Sequence, residues 1–373
     1  MTNTGRGFQW CVWCCVTGIL YVCSAAAEPK DKDIVSLLNA YERGDQDAVI
    51  AYLRHVGDIA SFTHNLKASG PGWTEAHGAA QGRRRRVVAA TVALEAASLR
   101  FWPEEIDPLI EWGCELLRKD TQPDESERLW ERASVAIFGR ARNDGRLVTR
   151  AGPGAPLGSL KRAPASRIDH IAHALQRFPD EPRFRFAQAM LLADSADTEP
   201  ARDAVWTPTE RLPANSAEAV RRAQALRAIQ LFERLRDVPE LRDEADVRIG
   251  DLFLTLRRPE TALKYFTGSR NAADVFVAYL ARFLAGRASD LLGERGDAEI
   301  SYRSALTVMP GTESAAEALA ADLFLDGKRD AAYGLAEDAL AGPHDVNDPW
   351  AVFGYGDLRF IPELMSKLRA ALN

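Results

Sequence analysis

Residues 286–310 read GRASDLLGERGDAEISYRSALTVMP. Gly286 and Ala298 are small residues, placed where two helices joined by a short turn need their backbones to approach. Tyr302 lies one turn beyond Ala298 on the same face and fills the gap toward the next unit, with Ala305 a further turn along. Pro310 ends the second helix, since proline supplies no N–H to continue the ladder. The same positions return along the chain. Ala228 and Phe232 recur 34 residues later as Ala262 and Phe266, and Ala298 and Tyr302 follow 36 after those. Ala332 and Ala339 continue the register, Gly293 returns as Gly327, and Gly250, Gly286 and Ala320 form the matching set on the first helices. One alanine match means little in so alanine-rich a chain. Several residue types keeping one register define a repeat.

Outside the repeats, no run of strand-like alternation appears. Helical patterns broken by Gly, Pro and Asp predict an all-α array. Early pairs fall at 32–43 with 46–55, and at 76–100 with 104–119.

This register resembles the tetratricopeptide repeat, a helix–turn–helix unit of about 34 residues. The resemblance spans 215–341 and is legible at 166–179, where Ala174-Leu175-Gln176-Arg177-Phe178-Pro179 reads as the end of a second helix. It implies a right-handed α-solenoid of antiparallel helix pairs without a sheet, whose first helices line a concave groove. The groove positions then fall on Val247, Asp251 and Leu254, on Phe283, Arg287 and Asp290, and on Glu317, Ala321 and Phe324. Such a mixed apolar and charged surface suits an extended peptide or a partner helix. The Lys/Asn clamp that some relatives use for C-terminal carboxylates is missing. Asp348-Pro349-Trp350, Tyr355-Gly356-Asp357 and Pro362-Glu363-Leu364 resemble the C-termini of exported repeat proteins of soil bacteria. Arg128-Leu129-Trp130 and the run from Phe178 to Pro182 fit the same group, which carries no assigned reaction.

The chain has 373 residues, 46% hydrophobic and 27% charged, ordinary values for a folded protein. Its net charge of −6 offers no electrostatic reason to expect nucleic acid as a partner. Residues 1–27 have one charge, Arg6, then an apolar stretch from Trp10 to Leu20 and Ala25-Ala26-Ala27 before Glu28. That layout predicts a secretory signal peptide, and hence a location in the periplasm or at the cell surface, with no membrane span after cleavage. Leu20-Tyr21-Val22-Cys23 leaves a lipid anchor on Cys23 as the alternative. Cys11, Cys14, Cys15 and Cys23 all lie in this leader. The mature chain then keeps Cys114, which has no disulfide partner and whose neighbours Leu116 and Leu117 predict a buried thiol.

Five segments are expected: a signal peptide at 1–27, degenerate helical pairs at 28–122, repeat-like pairs with two long loops at 123–214, regular repeats at 215–341 and a C-terminal cap at 342–373. The loops, at 142–165 and 194–214, read as enlarged turns inside consecutive pairs.

Chemistry-bearing motifs are scarce. His170 and His173 have the i, i+3 spacing of a metal pair, but an apolar face of Ile168, Ile171, Ala172 and Leu175 turns both toward solvent. Arg83, Arg84, Arg85 and Arg86 form the one dense basic run and read as a solvated helix start, part of which must wrap toward the packed side. No serine-nucleophile elbow, Walker loop, zincin or EF-hand spacing is present. Glu104 and Glu105 suit a helix N-terminus. No cofactor, metal or catalytic residue is assigned. The expected function is a scaffold for a protein or peptide partner, with envelope assembly or secretion as its setting. A hydrolase site around His55, His64, Trp73 and His77 is the alternative. Self-association through Trp350 and the C-terminal helix is a third reading.

Overall fold

A computed structural model describes residues 34–69, 73–100, 103–118, 123–143, 163–197, 214–341 and 348–372. Residues 1–27, which hold four of the five cysteines, and most of both long loops including Trp206, lie outside them. Every regular element among the described residues is helical. None of these helices is long and apolar enough to cross a membrane.

Two compact units emerge. One is built on Gln188–Gly354, the other on Ser24–Ala187 joined by Tyr355–Asn373. Their borders differ from the expected segments, because the C-terminal stretch is divided between them at Gly354.

In the first unit, α10 (Arg242–Thr255) pairs with α11 (Pro259–Ser269), α12 (Val275–Leu292) with α13 (Arg295–Val308), and α14 (Glu313–Leu325) with α15 (Arg329–Ala341). The helix α9 (Ala214–Leu235) packs on α10. A Cβ added at Gly286 would stand 2.4 Å from the Tyr302 ring, and one at Gly250 would stand 2.3 Å from the Phe266 ring. Both aromatics are fully buried, as are Ala262, Ala298 and Ala305. These contacts are the reason for the repeat register, and they make the fold a tetratricopeptide-type helical repeat. The turns repeat as well. Gly293 and Gly327 have φ of 78° and 79° and end their helices with matching backbone bonds, Glu294 N to Ser289 O and Lys328 N to Leu323 O. In the preceding pair the equivalent position is Arg257, held at φ 57° with Arg258 N bonded to Phe253 O. A side chain there accepts the strain that glycine avoids.

The second unit contains α1 (Ile34–Glu42), α2 (Gln46–Arg54), α3 (Ile59–Ala68), α4 (Trp73–Ser98), α5 (Pro103–Leu117), α6 (Glu125–Asn143), α7 (Ala163–Arg177) and α17 (Ile361–Leu372). The helix α8 (Pro182–Asp197) runs across the border, and a short 3-10 turn, Gly356–Phe360, precedes α17. The sequence reading has no counterpart of α3, although Asp58 caps it by accepting from Ser61 N at 3.0 Å and Ile59, Phe62, Thr63 and Leu66 form its buried face. Trp130 of α6 packs on Gly113 of α5, where an added Cβ would meet its ring at 2.3 Å, so the small-against-aromatic device operates here too.

The basic run is not a solvated helix start. Arg84 donates to Leu372 O at 2.9 Å, Arg85 pairs with Glu42 at 2.6 Å, Arg83 pairs with Asp124 at 3.0 Å and Glu127 at 3.2 Å, and Arg86 is buried. Consecutive residues spread around a helix, so Arg83, Arg84 and Arg85 each turn to a different element. Buried Glu95 of α4 accepts two bonds from Arg369, at 2.7 and 3.1 Å, and one from Tyr41 at 3.0 Å, which fastens α17 in place.

Candidate functional site

The expected groove positions meet different fates. Val247 and Phe283 are buried, Leu254 is half-buried against the core, and Asp251 is half-buried. Asp290 accepts the Tyr302 hydroxyl, an internal bond. Glu317 and Ala321 are exposed, and exposed Phe324 lies edge-on to Tyr333 under the Arg329 guanidinium. Phe283 and Arg287 both contact one further residue, Trp350.

Trp350 sits on α16 (Pro349–Phe353), which packs against α12. Its ring lies 5.4 Å from Phe283 and 5.5 Å from Phe353, with the Arg287 guanidinium 4.8 Å above it. Phe353 is buried, with the Arg248 guanidinium 3.5 Å from its ring centroid. Arg248 also donates to Phe353 O at 2.6 Å and is itself buried, 3.7 Å from Glu244 on the same helix. Asp348 accepts Trp350 N at 2.9 Å, capping α16, and Ser314 N at 2.6 Å, serving the start of α14. One carboxylate thus satisfies two helix N-termini, where the backbone dipoles favour negative charge.

The segment Asp348–Phe353 therefore lies along the first helices of three successive pairs, on the face expected to be open. Asp348, Trp350, Phe353 and Arg248 were missed as groove residues. Asp348-Pro349 carried a visible signal, since Asp followed by Pro is a helix start. Arg248 carried none.

A second constellation lies in the other unit. Cys114 of α5, Glu131 and Ser134 of α6 and His170 of α7 are all buried. His170 Nδ1 is 3.3 Å from Cys114 Sγ, and its Nε2 is 2.8 Å from Ser134 Oγ and 3.5 Å from a Glu131 oxygen. The expectation of solvated histidines fails for His170. The buried face of α7 carries His170, Ile171 and Ala174, with Phe178 buried just beyond its end, while Ala172 is exposed, so the apolar stripe is rotated from the one read in the sequence. Burial holds the His170 imidazole neutral, lowering its pKa to about 3, with His173 and Arg118 adding repulsion. Burial also raises Glu131 to about 8 against the pull of Arg177 and Arg118, and pushes the Cys114 thiol up. A thiol so held is no nucleophile, since the thiolate is the reactive form.

Of the alternative hydrolase set, His55 and His64 are exposed on separate elements, and His55 bonds only locally, to Ala51 O at 2.8 Å. The side chains of Trp73 and His77 lie outside the described residues.

No family model and no curated protein matches the chain. Among solved structures, 22 chains do. "MamA MSR-1 C2" is 14% identical with a TM-score of 0.34, covering 58% of this chain and 96% of that one. The apo form of RapI is 11% identical with a TM-score of 0.44, covering 91% and 86%. A Rap protein complexed with Competence and Sporulation Factor is 13% identical with a TM-score of 0.40, covering 91% and 87%. Values of this size assign no residue a role. The fold rests on the helix pairing itself.

Proposed function

We propose that this chain is a protein-binding scaffold whose ligand-holding face is formed by α10, α12 and α14. One observation supports the reading above the others: a six-residue segment, Asp348–Phe353, is already held there by an acidic cap, two aromatic anchors and a buried arginine. That set of contacts describes the partner. It is a short helical or extended segment with an acidic residue ahead of two aromatics three residues apart, recognised by side-chain pockets of the kind that peptide grooves use. The leader read in residues 1–27 adds the setting, a scaffold in the periplasm or at the cell surface that serves envelope assembly or secretion. Detection of the mature protein in an envelope fraction, cut after Ala27, checks that part.

The face can be tested by emptying it. A double variant, Trp350→Ala with Phe353→Ala, removes both aromatic anchors from the chain itself. A fluorescent peptide of residues 347–354 should bind this variant with a Kd of roughly 10–100 μM by anisotropy, and Arg248→Met should weaken that binding at least about tenfold. A folded double variant that ignores the peptide would overturn the reading.

A further inference from the structure

We propose that Cys114, Glu131 and His170 form a binding site for a divalent transition-metal ion, with zinc the best match. One sulfur, one nitrogen and one carboxylate oxygen, from α5, α6 and α7, all lie within 4.8 Å of one another in a buried setting. Those three donor types are the ones zinc takes in protein sites. The chemistry of the neighbours singles out one ring nitrogen. Ser134 has a single hydroxyl hydrogen, and it is donated to Glu131 O at 2.9 Å. With that proton so placed, its oxygen accepts from His170 Nε2–H at 2.8 Å, the tautomer that turns the Nδ1 lone pair toward Cys114 Sγ, 3.3 Å away. An imidazole held by a hydrogen bond on one nitrogen, with the other facing a second donor atom, is the usual arrangement of a metal-ligating histidine.

Glu131 supplies the second, independent sign. Its side chain is 1% exposed, and its Oε2 atom has no hydrogen-bond partner. An oxygen buried without a donor is costly, and a directly bound cation would satisfy it. Charge balances too. A thiolate and a carboxylate offset a dication, and the neutral imidazole completes a site of zero net charge, which suits a dry interior. The ion would also clamp α7, which follows the undescribed residues 144–162, onto α5 and α6.

Cobalt(II) is the probe. The full chain is prepared with Cys11→Ser, Cys14→Ser, Cys15→Ser and Cys23→Ser, so that Cys114 is its only thiol. Titration should give a sulfur-to-cobalt charge-transfer band saturating at about one ion per chain, reversed by zinc. The band should vanish in Cys114→Ser, and Glu131→Gln should weaken binding by at least about tenfold. A parent chain that shows no band at cobalt on the order of 100 μM would refute the site, leaving a metal-free S–H···N contact in its place. A band that survives Cys114→Ser would refute it as well. Since the parent chain alone decides the first point, a variant that fails to fold does not blunt the test.

Discussion

The unit built on Gln188–Gly354 and the unit built on Ser24–Ala187 with Tyr355–Asn373 use different kinds of contact. In the first, the defining contacts are close in sequence: Gly250 meets Phe266, and Gly286 meets Tyr302, in each case across the turn that joins two paired helices. In the second, some of the same packing occurs, but the contacts that hold its last helix span the chain. Arg369 reaches Glu95 across 274 residues, and Arg84 reaches Leu372 across 288. A repeat must satisfy each helix pair with its neighbours, so its rules are written locally and recur. A unit closed by a returning C-terminal helix has to match residues that no sequence period relates.

That difference can be broken or sharpened by substitution. The largest effect is expected at the long-range pair. Arg369→Met takes two of the three hydrogen bonds from buried Glu95, and should cost about 3 kcal/mol in denaturant unfolding. Hydrogen exchange should rise first in α1, α4 and α17. If α12 and α13 lose protection by as much, the two regions are not held by separate contacts and the comparison fails.

A middling effect is expected inside a repeat. Gly286→Ala forces a methyl group toward the Tyr302 ring and should destabilise by about 2 kcal/mol, whereas Gly268→Ala, with open space around its added Cβ, should stay within roughly 0.5 kcal/mol once helix propensity is counted. Combining Gly286→Ala with Tyr302→Leu should recover part of the loss, because the two residues share one contact. Additive losses would mean that the small-against-aromatic register is not what sets the pairing.

The smallest effect should be a gain. Arg257 occupies the left-handed turn position that Gly293 and Gly327 hold in the later pairs. Arg257→Gly should stabilise by about 0.5–1 kcal/mol, read as a rise in the urea midpoint without a change in slope. No gain would show that the Arg257 side chain has a compensating contact and that the three turns are not equivalent.

Much of the first unit was legible for a mechanical reason. A glycine facing an aromatic and a glycine in a left-handed turn each leave a residue type behind, so Gly286, Tyr302, Gly293 and Gly327 could be placed before any coordinates. The groove was legible only as a face. Phe283 and Arg287 were expected on it, but their contact with Trp350 was not, since nothing in Asp348-Pro349-Trp350 encodes which helices it will meet. Reading α7 failed at His170 because an imidazole counts as polar in a hydrophobic pattern, and a rotation of the stripe by one residue moves it from solvent to core. The missing α3 is a different failure. Its pattern is clear, but it is short and its partners are distant.

Taken alone, the amino-acid order determined helix type, the repeat register and the small residues that let paired helices touch, because these depend on neighbours within a few turns. Tertiary structure decided that the chain's own Trp350 and Phe353 lie on the face formed by α10, α12 and α14, that Arg83, Arg84 and Arg85 turn to different elements, and that a thiol, an imidazole and a carboxylate meet in one core. Those outcomes depend on side chains brought together from distant positions, and distance along a chain places almost no constraint on which of them will meet.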